Sequence, residues 1–227
     1  MGIRHNRSKI QILAAVGLLT ALAAQQASAQ DAADIVGRAG RIYRGLNSLQ
    51  ANFVQTIEDR SQGDTLTSRG VVIQAGANRF AMRFTDPAGE AIIVDGNHVW
   101  TYTPSTAPNV VYRSPVPNDP VYGANFLSLL LDRPRERYTA TYVGQDTADG
   151  RRVDVIDLVP RTATMPFSRA RIWLGVEDAL PRRIELVEGA GQRRVLELSR
   201  LRPNAPTPAG TFTFAIPSGV RVVAPPA

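Results

Sequence analysis

The sequence predicts a mainly β protein with a few helices, and three stretches carry that prediction. Between Asn78 and Pro104 apolar and polar residues alternate with the period of a strand. Between Tyr138 and Pro203 five further alternating stretches are separated only by short turns, the pattern of an antiparallel meander. Ahead of both, Asp31 to Leu49 repeats apolar residues every three or four positions, the period of an amphipathic helix. A sheet with one oily side and a helix with one oily stripe each need a cover, and each can supply the other's.

The chain opens with Arg4, Arg7 and Lys9, runs through the apolar stretch Ile10 to Ala24 and reaches Ala27-Ser28-Ala29. This is the three-part pattern of a secretory signal, with small residues at the cleavage site. The expected organisation is therefore a cleaved signal over 1–29 and a single exported domain over 30–227. Cysteine is absent, which removes disulfides, thiol catalysis and thiolate metal sites, and leaves Gln30 at the cleavage point without a thiol for a lipid anchor. Of the net charge of +6, the signal accounts for three positive charges, leaving +3 for the rest. The arginines are scattered, with Arg133, Arg135 and Arg137 the nearest to a cluster and no aromatic residue among them, so a nucleic-acid partner is not expected. The pairs Arg151-Arg152, Arg182-Arg183 and Arg193-Arg194 are read as solvated strand starts and turn flanks.

In order, the helix of Asp31 to Leu49 presents Ile35, Ala39, Ile42, Tyr43, Leu46 and Leu49 on one stripe, with Asp31 and Asp34 at the positive end of its dipole. A long hairpin follows, LQANFVQTIEDR and TLTSRGVVIQAG, turning at Ser61 to Asp64. In the next strand Phe80, Met82 and Phe84 share one face, and Arg79, Ala81, Arg83 and Thr85 the other. Asp95-Gly96 or Gly96-Asn97 supplies a tight turn into a strand that puts His98, Trp100 and Tyr102 on one face. Val110 to Arg113 resumes the ladder. VYGANFLSLLLD then predicts a helix of about two to three turns that is apolar round much of its circumference. Two readings of it compete, a plug in a closed core and a cover over an apolar groove, and composition alone favours the plug. After the five-strand meander, in which Ile172 and Leu174 share a face, GTFTFAIPSGVRVV predicts a short closing strand with Phe212 and Phe214 on one side.

Catalytic signatures are missing. His98 is the single histidine after the signal, without a G-x-S-x-G elbow, and reads as structural. The neighbouring carboxylates Glu58-Asp59 and Glu177-Asp178 point apart along a strand, as do Asp154 and Asp157 by parity. Gly189 and Gly191 lie between strands, the wrong context for a phosphate loop. No enzyme activity, metal or cofactor is expected. The surplus is of apolar side chains on strand faces, which points to binding.

Taken together, the pieces resemble the periplasmic outer-membrane lipoprotein carrier family, LolA. The resemblance runs through nearly all of the chain after the signal: the first helix into Phe53-Val54-Gln55, the Gly70 strand, Thr85-Asp86-Pro87, Ile93-Val94-Asp95-Gly96, Val99-Trp100-x-Tyr102-x-Pro104, the Phe126-Leu127 helix, Phe212-Thr213-Phe214 and Pro217-x-Gly219-Val220. It implies an unclosed antiparallel β-barrel with helices covering the apolar concave face. It implies a periplasmic carrier, expected to be a monomer, that takes acylated lipoproteins from an inner-membrane ABC transporter and delivers them to an outer-membrane receptor. The lipid-binding groove would then include Phe53, Phe80, Met82, Phe84, Ile92, Val94, Trp100, Ile172 and Leu174, although parity leaves open which face of the Trp100 strand points inward. Phe126, Leu127 and Leu130 would belong to a lid helix, which reverses the preference for a plug. The alternative is a periplasmic sensor module on the same fold that binds a lipid or protein without ferrying it. One departure is visible: where the family carries a basic residue implicated in holding the lid, this chain has Gly76 within Ala75-Gly76-Ala77, so that role does not transfer.

Overall fold

The computed structural model describes residues 31–59, 63–76, 78–117 and 125–225, so the signal expected over 1–29 lies outside the described residues. Helix α1 spans 31–45. The strands are β1 (Ser48–Asp59), β2 (Asp64–Ala75), β3 (Arg79–Asp86), β4 (Ala88–Val94), β5 (His98–Tyr102) and β6 (Val110–Pro115), then β7 (Tyr138–Ala148), β8 (Arg151–Pro160), β9 (Phe167–Gly175), β10 (Pro181–Glu188), β11 (Arg193–Pro203) and β12 (Arg221–Val223). Between β6 and β7 come two short helices, α2 (Phe126–Leu131) and α3 (Pro134–Arg137).

All twelve strands form one sheet in the order β12-β6-β5-β4-β3-β2-β1-β11-β10-β9-β8-β7. Two meanders meet where β1 pairs with β11. Every pairing is antiparallel except β12 on β6, which is parallel. The edges β7 and β12 are far apart in strand order and unpaired with one another among the described residues, so the barrel is unclosed.

Period-2 alternation gives the sheet two faces with different covers. One apolar cluster gathers Val36, Ala39 and Tyr43 of α1, Phe53 of β1, Phe80 and Met82 of β3, Leu127 to Leu131 of α2 except Ser128, and Ile156, Ile172, Ile184 and Leu196 of the second meander. This is the inner face. Glycines let the helices approach one another closely: a Cβ on Gly40 of α1 would stand 2.7 Å from the Leu131 carbonyl oxygen, and one on Gly37 would stand 2.5 Å from Arg135 Nε. Arg135 ties α3 to the start of α1 through Asp34 and, at 3.0 Å, the Ala33 carbonyl.

The outer face is held differently. Across the second meander, Arg171 bonds Asp157 at 2.6 and 2.9 Å, while Arg193 bonds Glu58 and Glu185 at 2.8 Å each. The guanidinium bonds from Arg171 and Arg193 hold the Asp157 and Glu185 carboxyls below the usual range. Arg183 lies over the Trp173 ring at 4.7 Å. The pairs Arg182-Arg183 and Arg193-Arg194 are therefore not simply solvated, whereas Arg151 and Arg152 are exposed as expected. Arg182 is 3% exposed and bonds Asp178 at 2.5 Å and the Leu180 carbonyl at 2.9 Å.

Across the first meander the outer face is covered by the stretch 204–219. Phe212 and Phe214 pack on Ala81, Ala91, Ile93 and Trp100, and Arg83 donates to the Thr211 and Thr213 carbonyls at 3.2 Å. The expected closing strand is thus a strap. Turns such as Thr213 N to Gly210 O at 3.0 Å, and prolines at 206, 208 and 217, keep it out of a ladder, and the strand itself comes later as β12.

Candidate functional site

The inner face is continuous across the β1–β11 seam. Register aligns Val72, Met82, Ile92 and Thr101 in one row from β2 to β5, and Gln74, Phe80, Val94 and Val99 in the next. Beyond the seam, Ile156, Ile172, Ile184 and Leu196 form the matching row on β8 to β11. Gly70 stands between Phe53 and Phe84 in register, and the absence of a Cβ lets β3 approach, since one there would lie 2.1 Å from the Arg83 carbonyl oxygen. Above it the Phe53 and Phe84 rings meet edge to face at 5.2 Å.

Of the residues expected to line a groove, Phe53, Phe80, Met82, Phe84, Ile92, Val94, Ile172 and Leu174 all reach this face. Trp100 does not. Its register partner is Ile93, and both belong to the outer cluster, where the indole stacks on Phe214 at 5.6 Å and donates to Asp95 Oδ2 at 2.7 Å. Val99 and Thr101 take the inward positions of that strand. His98 shares the outer face with Trp100, 6.2 Å away between ring centroids.

Helix α2 lies on the inner face. Phe126 meets Phe80 edge to face at 5.7 Å, and Leu127, Leu129, Leu130 and Leu131 are buried, the last two completely. Its residues thus fill the interior round their whole circumference, as a plug does. The helix is only six residues long, so its own backbone bonds hold it weakly and its end contacts matter. The Asn125 side chain accepts from Ser128 N at 3.2 Å as its N-cap, and Tyr138 donates its hydroxyl to the Leu129 carbonyl at 2.7 Å. The stretch 121–124 of the expected longer helix lies outside the described residues.

A third tie was not visible in the sequence. The Tyr43 hydroxyl donates to Gln74 Oε1 and accepts from Asn125 Nδ2 at 3.4 Å, linking α1, β2 and the start of α2. Tyr43 is 5% exposed, and burial raises its pKa. Gln74 also donates to the Gly76 carbonyl at 3.2 Å. Gly76 itself has φ +61, a left-handed conformation that favours glycine, which gives a backbone reason for a glycine at this position.

Among the described residues no group of three or more His, Cys, Asp or Glu is placed to hold a metal ion, and no helix is long and apolar enough to cross a membrane. What the site offers is a broad apolar face filled by one short helix.

Comparison with known proteins agrees with this architecture. A protein from Thermus thermophilus described as an uncharacterized conserved protein shares the fold at TM-score 0.53 and 16% identity, over 85% of this chain and 98% of that one. An outer-membrane lipoprotein carrier protein of Alkalilimnicola ehrlichii is 28% identical over 208 residues, which are 92% of this chain and 89% of its own. Another so named, from Nitrosospira multiformis, is 24% identical over 190 residues, or 83% and 87%. The family model described as outer membrane lipoprotein carrier protein LolA matches residues 44–215, and the chain accordingly belongs to the LolA family.

Proposed function

We propose that this protein is a periplasmic lipoprotein carrier without catalytic activity: it shields the acyl chains of lipoproteins released from the inner membrane and delivers them to the outer membrane. The observation that carries the reading is the continuous inner face from β9 across β1 to β4, apolar in register row after row and capped by a six-residue helix. Chain burial gains about 0.8 kcal/mol per methylene, hence about 12 kcal/mol for a chain of about 15 methylenes. An acylated protein needs that shielding in water, and the inner face has the chemistry to give it.

In the closed arrangement the protein's own side chains occupy the interior. Loading displaces α2, whose Phe126, Leu127 and Leu130 leave Phe80 and its neighbours to acyl chains. Phe53, Phe80, Met82, Phe84, Ile92, Val94, Ile172 and Leu174 then form the groove lining, with Met82 adaptable in shape. An inner-membrane ABC transporter hands over the cargo, and an outer-membrane receptor accepts it.

The test mixes the purified chain, lacking residues 1–29, with spheroplasts. The expected result is release of lipoproteins in soluble one-to-one complexes. Absence of release, alongside a known carrier that does release them, overturns the reading.

A further inference from the structure

Three uncharged polar side chains from three elements meet on the largely apolar inner face: Tyr43, Gln74 and Asn125, at 5%, 6% and 7% exposure. Apolar groups of the same shape could fill this space at little or no cost in stability, so folding alone does not require the trio. Its members differ in what holds them. Tyr43 is carried by α1 and Gln74 by the sheet, whereas Asn125 caps α2 through Ser128 N and so moves with that helix. When α2 leaves, the Tyr43 hydroxyl loses the amide that Asn125 gave it and faces an apolar groove.

We propose that Tyr43 and Gln74 form a subsite for the uncharged amide or ester group at the head of a bound acyl chain, which takes the place of the Asn125 side-chain amide. This rests on the lipid-carrying reading above and specifies where the polar end of the chain sits. An amide matches the displaced group in both donor and acceptor, and an ester matches it as an acceptor alone. A cargo amide N–H fills the hydroxyl lone pair that Asn125 Nδ2 vacates. A cargo carbonyl accepts from the Tyr43 hydroxyl in place of Gln74 Oε1, which is then free to accept a cargo N–H. Charged heads suit the site poorly. Burial disfavours negative charge on the Tyr43 oxygen, and an apolar groove likewise disfavours a carboxylate or phosphate brought beside it. Another polar group on this face, Gln55 with Ser68, Arg194 and Glu188, satisfies itself: Arg194 bonds Gln55 at 3.0 Å and Glu188 at 2.9 and 3.2 Å. It depends on no movable helix and has no bond to surrender.

The experiment displaces a fluorescent fatty-chain probe from the full chain lacking residues 1–29, using hexadecanamide, methyl hexadecanoate and an alkyl methyl ether of the same length. The unsubstituted protein is expected to bind amide and ester about threefold to tenfold more tightly than the ether, the range one net hydrogen bond supplies. In Tyr43→Phe the preference falls to within about twofold while ether affinity is kept. The infrared carbonyl band of isotope-labelled ester, shifted to lower frequency when bound, returns toward its apolar-solvent position in the variant. Equal binding of all three, or a preference surviving Tyr43→Phe, overturns the subsite and leaves the groove standing. Binding of none overturns the carrier reading and the subsite with it. Should Tyr43→Phe not fold, the amide-to-ether ratio and the bound carbonyl band of the unsubstituted protein decide the matter.

Discussion

Replacing Asn125 with alanine removes two bonds from α2 at once. The first is the N-cap to Ser128 N at 3.2 Å, a bond whose loss costs about 1 kcal/mol in a helix of ordinary length. The second is the 3.4 Å contact with Tyr43, near the long limit for a hydrogen bond and therefore at the low end of about 0.5–1.5 kcal/mol. Together they amount to about 1.5–2 kcal/mol, or an increase of about 10- to 30-fold in the population with α2 displaced. Hydrogen exchange reads this directly, because Leu129 N bonds Asn125 O at 3.0 Å and Asp132 N bonds Ser128 O at 2.9 Å. In Asn125→Ala these two amides should lose protection by at least about tenfold while β9 and β10 amides hold theirs. Loss of less than about twofold at α2, or equal loss in the sheet, would refute the view that this helix opens as a local unit.

Gly70→Ala should destabilise the fold by at least about 1–3 kcal/mol in urea unfolding, because its methyl meets the β3 backbone; a change under about 0.5 kcal/mol would contradict that close approach. Trp100→Ala should speed proteolysis within 204–219, which it holds down, yet leave fatty-probe affinity within about twofold; a large affinity loss would return Trp100 to the groove. The Asp157 and Glu185 carboxyls are depressed by guanidinium bonds, so their contribution is present above the ordinary carboxylate values and is lost as pH falls through the lowered ones. The melting temperature should therefore be level from pH 7 to about 5 and fall below about pH 4, and Glu185→Gln should make that fall shallower.

How much of this was legible depends on how far along the chain each cause lies. Phe80, Met82 and Phe84 alternate with arginines and threonine, so parity alone separated the faces of β3. The β5 strand gave no such contrast, since Val99 and Thr101 are no more apolar than Trp100, and its outer face is covered by Phe212 and Phe214 more than a hundred residues on. Alternation also made those phenylalanines read as a strand. The prolines around them, and the need to cover Ile93, make a strap instead. Arg182 read as a solvated flank because sequence shows charge but not that Asp178 and the Leu180 carbonyl close over it. The first helix read as running to Leu49, but it ends at Gly45, and Leu49 already belongs to β1. Tyr43 counted as one more member of an apolar stripe, and only long-range packing brings it to Gln74 and Asn125.

Native mass spectrometry of the protein isolated from the cells that make it tests the carrier reading most directly. The account predicts one protein chain bound to one acylated polypeptide, with the adduct lost when the cargo is deacylated. Only free protein, or a partner that stays bound after its acyl chains are removed, would contradict it.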